Sequence, residues 1–262
     1  VEDVKPSLDR PMSAFAAAFW AFTLFGVELL CQVLTAAARG DESLDIVSLS
    51  ACAVLATSIL VFAVMRVHAR EGSIRQAVGL TPIAPHHVLL CALAGAGLSP
   101  VVEALQHRIV SRFPYSDADV AIMERIVASA PPVVLVVAML VVIPLAEEVF
   151  FRGLLYGGLR ASGSTAEAII VTAVLFAVVG QDFREVPIRL LYGLVLGWLR
   201  AQSGSLVGPI VAALAYNAFD AVALVRGTDP TAALFSAKWV GIGAAATLFG
   251  LAAMRFGRAT KA

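Results

Sequence analysis

Charged residues are scarce in this chain. Asp, Glu, Lys and Arg make up 15% of its 262 residues, where a soluble domain carries about a quarter. Acids and bases cancel at 19 each, so no basic field is present to attract nucleic acid. Cysteine is nearly missing. Cys31, Cys52 and Cys91 each stand alone in an apolar run, and no pair has the CxxC spacing. That argues against a disulfide frame or a zinc knuckle and leaves three small buried side chains. Histidine is limited to His68, His86, His87 and His107, all in or near loops, with none later in the chain. The "PHH" step at 85–87 reads as solvated rather than metal-binding. No short h-region with a cleavage site and no prenylation box is legible, so neither a signal peptide nor a C-terminal lipid anchor is expected.

What fills the space is apolar. Such residues are 60% of the chain and the mean hydropathy is +0.87. A membrane helix needs about 20 apolar residues. Runs near that length occur at 13–37, 45–66, 87–108, 131–157, 164–181, 187–201, 205–225 and 236–256. They lack the polar stripe of a soluble bundle, and helices apolar all round belong in lipid. The fifth and sixth runs are the shortest. The segments "ARGDESLD" (38–45), "HAREGSIRQAVGLTPIAPHH" (68–87), "SRFPYSDAD" (111–119), "RASGST" (160–165) and "VRGTDP" (225–230) read as loops. No linker divides the chain. The expected fold is all-α, a single polytopic membrane domain over 1–262 with about eight transmembrane helices and a bilayer as its surroundings.

Eight spans put both termini on one side. That side would hold Lys5, Arg10, Arg66, Arg70, Arg75, Arg152, Arg160, Arg200, Arg255, Arg258 and Lys261. The other would hold most acids, including Asp41, Glu42, Asp45, Asp117, Asp119 and Glu124. The positive-inside rule then gives cytoplasmic termini, in the plasma (inner) membrane.

One apolar run ends in "PLAEEVFFRG", Pro144 to Gly153. A carboxylate inside a bilayer is costly and marks a functional site by default. Glu148 and Arg152 have the i,i+4 spacing of an ion pair, acid first. Glu147 is turned about 100° from Glu148, so the two carboxylates have different tasks. A plainer reading is that the pair only fastens a helix end where arginine snorkels, but the second glutamate has no such use. The expectation is that Arg152 bonds Glu148 and leaves Glu147 facing a cavity. Asn217 and Asp220 also lie deep, in the seventh run. Glu28 and Glu103, in the first and third, read as single helix-to-helix bonding groups.

The order of these segments resembles that of the CPBP membrane proteins, the type II CAAX prenyl endopeptidase and bacteriocin-processing family. "EEVFFRG" is similar to its EExxxR signature. "FAVVG" (176–180) stands where that family has FxxxH, and "YGLVLGWLRAQSGSL" (192–206) resembles its glycine-rich helix. "PIVAALAYN" (209–217) aligns with its HxxxN segment, and "VGLTP" (78–82) is weakly similar to a family loop. The resemblance covers about 131–222. It implies an intramembrane endopeptidase of the glutamate/metal type acting on a membrane-anchored or lipidated peptide. Glu147 would be the base that activates a water, Glu148 and Arg152 its structural partners, and Asn217 the oxyanion donor. Gly180 and Ala213 stand at the two histidine positions, and neither can bind a metal. No stoichiometric zinc or other cofactor is therefore expected. Asp182, Gln181, or a histidine from His86 to His107 are the candidates to substitute. Two other functions stay open: a catalytically silent relative that binds or scaffolds such a peptide, and a proton- or ion-coupled carrier using Glu28, Glu103, Glu147 and Asp220. At 1.5 Å per residue, Glu147, Gly180, Ala213 and Asn217 lie roughly 14–24 Å along their helices, so the fourth to seventh helices would enclose a mid-membrane polar cavity.

Overall fold

In a computed structural model, residues 10–40, 44–69, 73–180, 182–225 and 236–259 are described. Lys5, Asp41, Glu42, Arg70, Gln181 and Lys261, the side chain of Arg258 and most of the 225–230 loop lie outside the described residues. Every expected apolar run forms a helix, and no strand occurs among the described residues. The elements are α1 (Ala14–Arg39), α2 (Ile46–His68), α3 (Pro85–Arg112), α4 (Asp117–Ala128), α5 (Pro132–Ser162), α6 (Thr165–Val178), α7 (Val186–Ser203), α8 (Val207–Val225) and α9 (Ala237–Ala259). The protein is an all-α polytopic membrane protein. Five helices, α1, α2, α3, α5 and α9, are long and apolar enough to cross a bilayer. The other three expected spans are helical as well. α6 and the Val207–Val222 part of α8 are shorter apolar helices, and α7 carries Arg189 and Arg200 within its 18 residues.

Two helical pieces lie outside the expected spans. A single turn, Ile74–Ala77, starts at Ser73, and α4 starts at Ser116; both open with a capping box, closed by Gln76 and Asp119. The serine and its partner three residues on satisfy donors that a helix start leaves open. Ser13, Asp45 and Ser164 cap α1, α2 and α6 in the simpler way. None of the α4 side chains is buried.

Helix α5 is not uniform. Pro144 lacks an N–H, and its ring would strike the carbonyl of the residue four before it. The chain widens into π turns over Val137–Val142, just ahead of the proline. A second π segment, Val149–Leu155, follows the two glutamates. Such bulges are frequent at functional sites. From Phe150 to Leu159 every residue of α5 is buried, so this half is the axis of the bundle. The exterior of α1 is the reverse: Phe15, Phe19 and Leu30 are exposed, as lipid-facing side chains are.

The helix ends sort onto two sides. Met12 N–H donates to the Gly158 carbonyl (3.0 Å), and Ser162 Oγ to that of Met12 (2.7 Å). Leu206 N–H donates to the Gly79 carbonyl (2.9 Å), and Ser205 Oγ to that of Thr81. On the opposite side Ile46 N–H reaches Ser129 Oγ (3.3 Å) and Arg184 meets Asp119 (3.2 Å). The "VGLTP" loop is thereby docked on the α7–α8 turn. Gly79 makes this docking feasible: its φ is +67°, and a Cβ there would stand 2.1 Å from Arg200 Nη2.

Helix α3 packs against both α8 and α9. At its crossing with α8, a Cβ on Gly95 would lie 2.0 Å from the Ala212 carbonyl oxygen. Small residues permit such backbone contact in membranes. Gly95→Val should force α3 and α8 apart and cost about 1–3 kcal/mol, the usual range for overpacking. The thermal midpoint of the detergent-solubilised protein measures it; an unchanged midpoint would mean that this crossing does not hold α8 in place.

Candidate active site

Glu147 and Glu148 sit on the short α turn between the two π segments of α5. Their environments differ. Glu148 is 1% exposed and Arg152 0%, and Arg152 Nη1 lies 2.9 Å from Glu148 Oε1. The pair is close but not aligned as a hydrogen bond. The Arg152 guanidinium also lies 4.4 Å from the centre of the Phe176 ring on α6, a cation–π contact that desolvation strengthens. Arg200 Nε donates to the Arg152 backbone carbonyl (3.0 Å), so α7 supports the same turn.

Glu147 is half-buried and does not stand alone. Arg189 Nη2 on α7 donates to its Oε1 at 3.0 Å. Arg189 Nε donates to the Phe176 carbonyl (3.0 Å), and its guanidinium lies 3.9 Å from the Phe176 ring centre. Two arginines thus converge on one phenylalanine, each holding one of the two glutamates. Sequence reasoning missed Arg189. The only signal was an arginine at the third position of a run read as membrane.

Glu28 on α1 does not behave as an isolated bonding group. Its carboxylate interacts electrostatically with both Glu147 and Arg189. Glu103 on α3 and Asp220 on α8 sense each other in the same way. Asn217 is half-buried on α8, next to Tyr216. The Tyr216 ring lies against Tyr192 (4.8 Å), Tyr192 against Phe176 (5.9 Å), and Phe176 meets Phe151 edge to face (5.2 Å). This aromatic row links the Asn217 region to the glutamate helix.

Gly180 lies against Arg189: a Cβ there would be 2.9 Å from Arg189 Cδ. Ala213 is 1% exposed. Of the proposed substitutes, Gln181 lies outside the described residues. Asp182 is taken by Arg184, at 2.8 Å. Arg184 also bonds Asp119 and the Pro114 carbonyl and lies over Tyr115 (4.1 Å), tying α4 to the loop before α7. The Ser116 backbone N–H, and then Arg184, hold the Asp119 carboxyl below the ordinary carboxylate range. His68 Nε2 accepts from Trp20 Nε1 (3.2 Å), and its Nδ1 meets the Arg10 carbonyl (3.3 Å), which makes it a structural residue. His86 and His87 stack on each other (4.3 Å) at the α3 start, and His107 is exposed.

Among the described residues no three His, Cys, Asp or Glu side chains come together as a ligand set. Three protein ligands are the normal minimum for a catalytic zinc site. A guanidinium on Glu147 would also oppose a dication there. The arrangement offers instead one accessible carboxylate, one enclosed carboxylate and two fixed cations. A cavity of about 650 Å³ opens on a different face of α5, between Val54–Arg66 of α2 and Val141–Val149, and its wall is mostly apolar.

The family model described as type II CAAX prenyl endopeptidase, Rce1-like, matches residues 129–219. That stretch is similar to the Rce1-like family. It runs from just before α5 through Asn217 and contains both glutamates, both arginines, Gly180 and Ala213. The likeness is confined to that stretch, while the long apolar helices make the chain a membrane protein. No curated protein and no solved structure matches the chain.

Proposed function

We propose that this Rce1-like protein is an intramembrane endopeptidase that acts on a membrane-associated peptide, with Glu147 as its general base. The observation that carries the reading is the division of labour in the glutamate pair. Glu148 is sealed against Arg152, while Glu147 stays partly accessible, its side chain 28% exposed. A base must reach the water whose proton it takes. Glu147 would take that proton as the water attacks the peptide carbonyl. Asn217 would donate to the oxygen on which charge develops. Glu148 and Arg152 would hold the turn, and no step runs through a metal.

One observation favours a silent binder instead. Arg189 already engages Glu147, and the space at Gly180 contains no side chain that could relay a proton. Purified protein in lipid vesicles, given a peptide with a lipidated cysteine near its C-terminus, separates the two. Mass spectrometry should find a cleaved product that disappears in Glu147→Gln. Retention of the intact peptide without product supports the silent binder. Cleavage by Glu147→Gln at the unmodified rate defeats the proposal.

Placing the termini in the cytoplasm, at the plasma (inner) membrane, belongs to the same proposal. It rests on Arg10, Arg66, Arg75, Arg160 and Arg255 together with residues outside the described part. Arg152 and Arg200 drop out of that count because both are buried within the bundle.

A further inference from the structure

Four contacts fix the Arg189 side chain. Nη2 donates to Glu147 at 3.0 Å, Nε donates to the Phe176 carbonyl at 3.0 Å, the guanidinium covers the Phe176 ring at 3.9 Å, and Nη1 stands 4.0 Å from Glu185. The first three are close. The last is beyond hydrogen-bond length, so Nη1 keeps donor capacity. Gly180 is the residue that makes this placement fit. A Cβ at 180 would lie 2.9 Å from Arg189 Cδ and 3.1 Å from Nε. A side chain at 180 and Arg189 in its observed position therefore compete for the same space, and one must shift. Glu147, Glu185 and Glu28 surround it, so its guanidinium is a donor set among carboxylates.

We infer that Arg189 is the built-in cation of the site. It takes the space that Gly180 leaves open and offers Nη1 to a carbonyl oxygen of the bound peptide. The inference rests on the peptide-binding reading for its ligand, but not for the competition between side chains at 180 and 189. A guanidinium is charged at every accessible pH, so the site needs neither a bound metal nor a protonated histidine for its positive charge. Arginine is suited to this because its planar fork can serve a carboxylate and a second oxygen at once.

The competition is tested first, without any peptide. Thermal midpoints are measured for Gly180→His, Arg189→Ala and the double variant in detergent. Gly180→His should lower the midpoint in the native background and lower it far less once Arg189 is Ala. Additive shifts would overturn the inference. The charge is tested next, by retention of the lipidated peptide on vesicles. Arg189→Ala should retain it at least tenfold less, and Arg189→Lys should recover part of the loss. Gly180→His/Arg189→Ala should retain it well below pH about 6.5, where imidazole is charged, and lose it above. The unmodified protein should show no such dependence. Retention by the double variant that ignores pH, or unchanged retention by Arg189→Ala, would overturn the assignment. If the unmodified protein neither retains nor cleaves the peptide, the peptide-binding reading fails, while the midpoint result still decides whether Arg189 and Gly180 interlock.

Discussion

Arg152→Met should be the most damaging single change outside the reacting group. It leaves the Glu148 carboxylate 1% exposed with no cation within reach. Removing one partner of a buried pair typically costs about 3–5 kcal/mol, a large part of the net stability of an ordinary domain. Deletion also removes the ring contact to Phe176 and the buried stem that packs the centre of the bundle. The double variant Arg152→Met/Glu148→Leu should recover much of the loss, because an apolar pair of similar volume carries no stranded charge. Glu148→Gln should also destabilise, and Glu147→Gln much less, since Glu147 and Arg189 are both partly accessible. Midpoints in detergent rank all four. A loss below about 0.5 kcal/mol for Arg152→Met, the level of an ordinary surface change, would show that the pair does not hold α5.

The second large effect concerns chemistry. Glu147→Gln keeps the size and the hydrogen bond from Arg189 but cannot accept a proton from water. Loss of a positioned general base lowers rates by about 10²- to 10⁴-fold, and peptide cleavage should fall by that amount while the thermal midpoint barely moves. Separation of the two readouts is the informative part. A midpoint drop equal to that of Glu148→Gln would mean that Glu147 is structural. An unaltered rate with an unaltered midpoint would remove it from the reaction.

Local pairings were legible in the sequence, and distant ones were not. Glu148 and Arg152 are four apart on one helix, so helical geometry alone brings them together. Glu147 and Arg189 are separated by 42 positions, and their meeting depends on how α5, α6 and α7 pack. Hydropathy found every membrane helix because lipid imposes a length and a composition. It could not show what the two arginines of α7 meet on other helices: Glu147 for Arg189, the Arg152 carbonyl for Arg200. It passed over α4, whose start is written in "SDAD" but whose side chains bury nothing. The π turns were equally silent, since Pro144 announces a local defect but not the form it takes. Gly180 shows the limit most clearly. In the sequence it was a missing histidine; in the fold it is the room that Arg189 needs.

The shortness of α6 bears on the lipid as well as on the protein. Its 14 residues span about 21 Å, against roughly 30 Å of hydrocarbon. Lipid beside a short element thins to match it. On that flank the headgroups and their water descend toward the helix end at Val178, two residues before Gly180. The protein would then shape its own solvent supply, drawing the aqueous boundary toward the Glu147–Arg189 pair without a channel through the bundle. Bilayers of shorter acyl chains should relieve the mismatch and favour the folded protein over thick ones, a preference that would sort it toward thinner membranes.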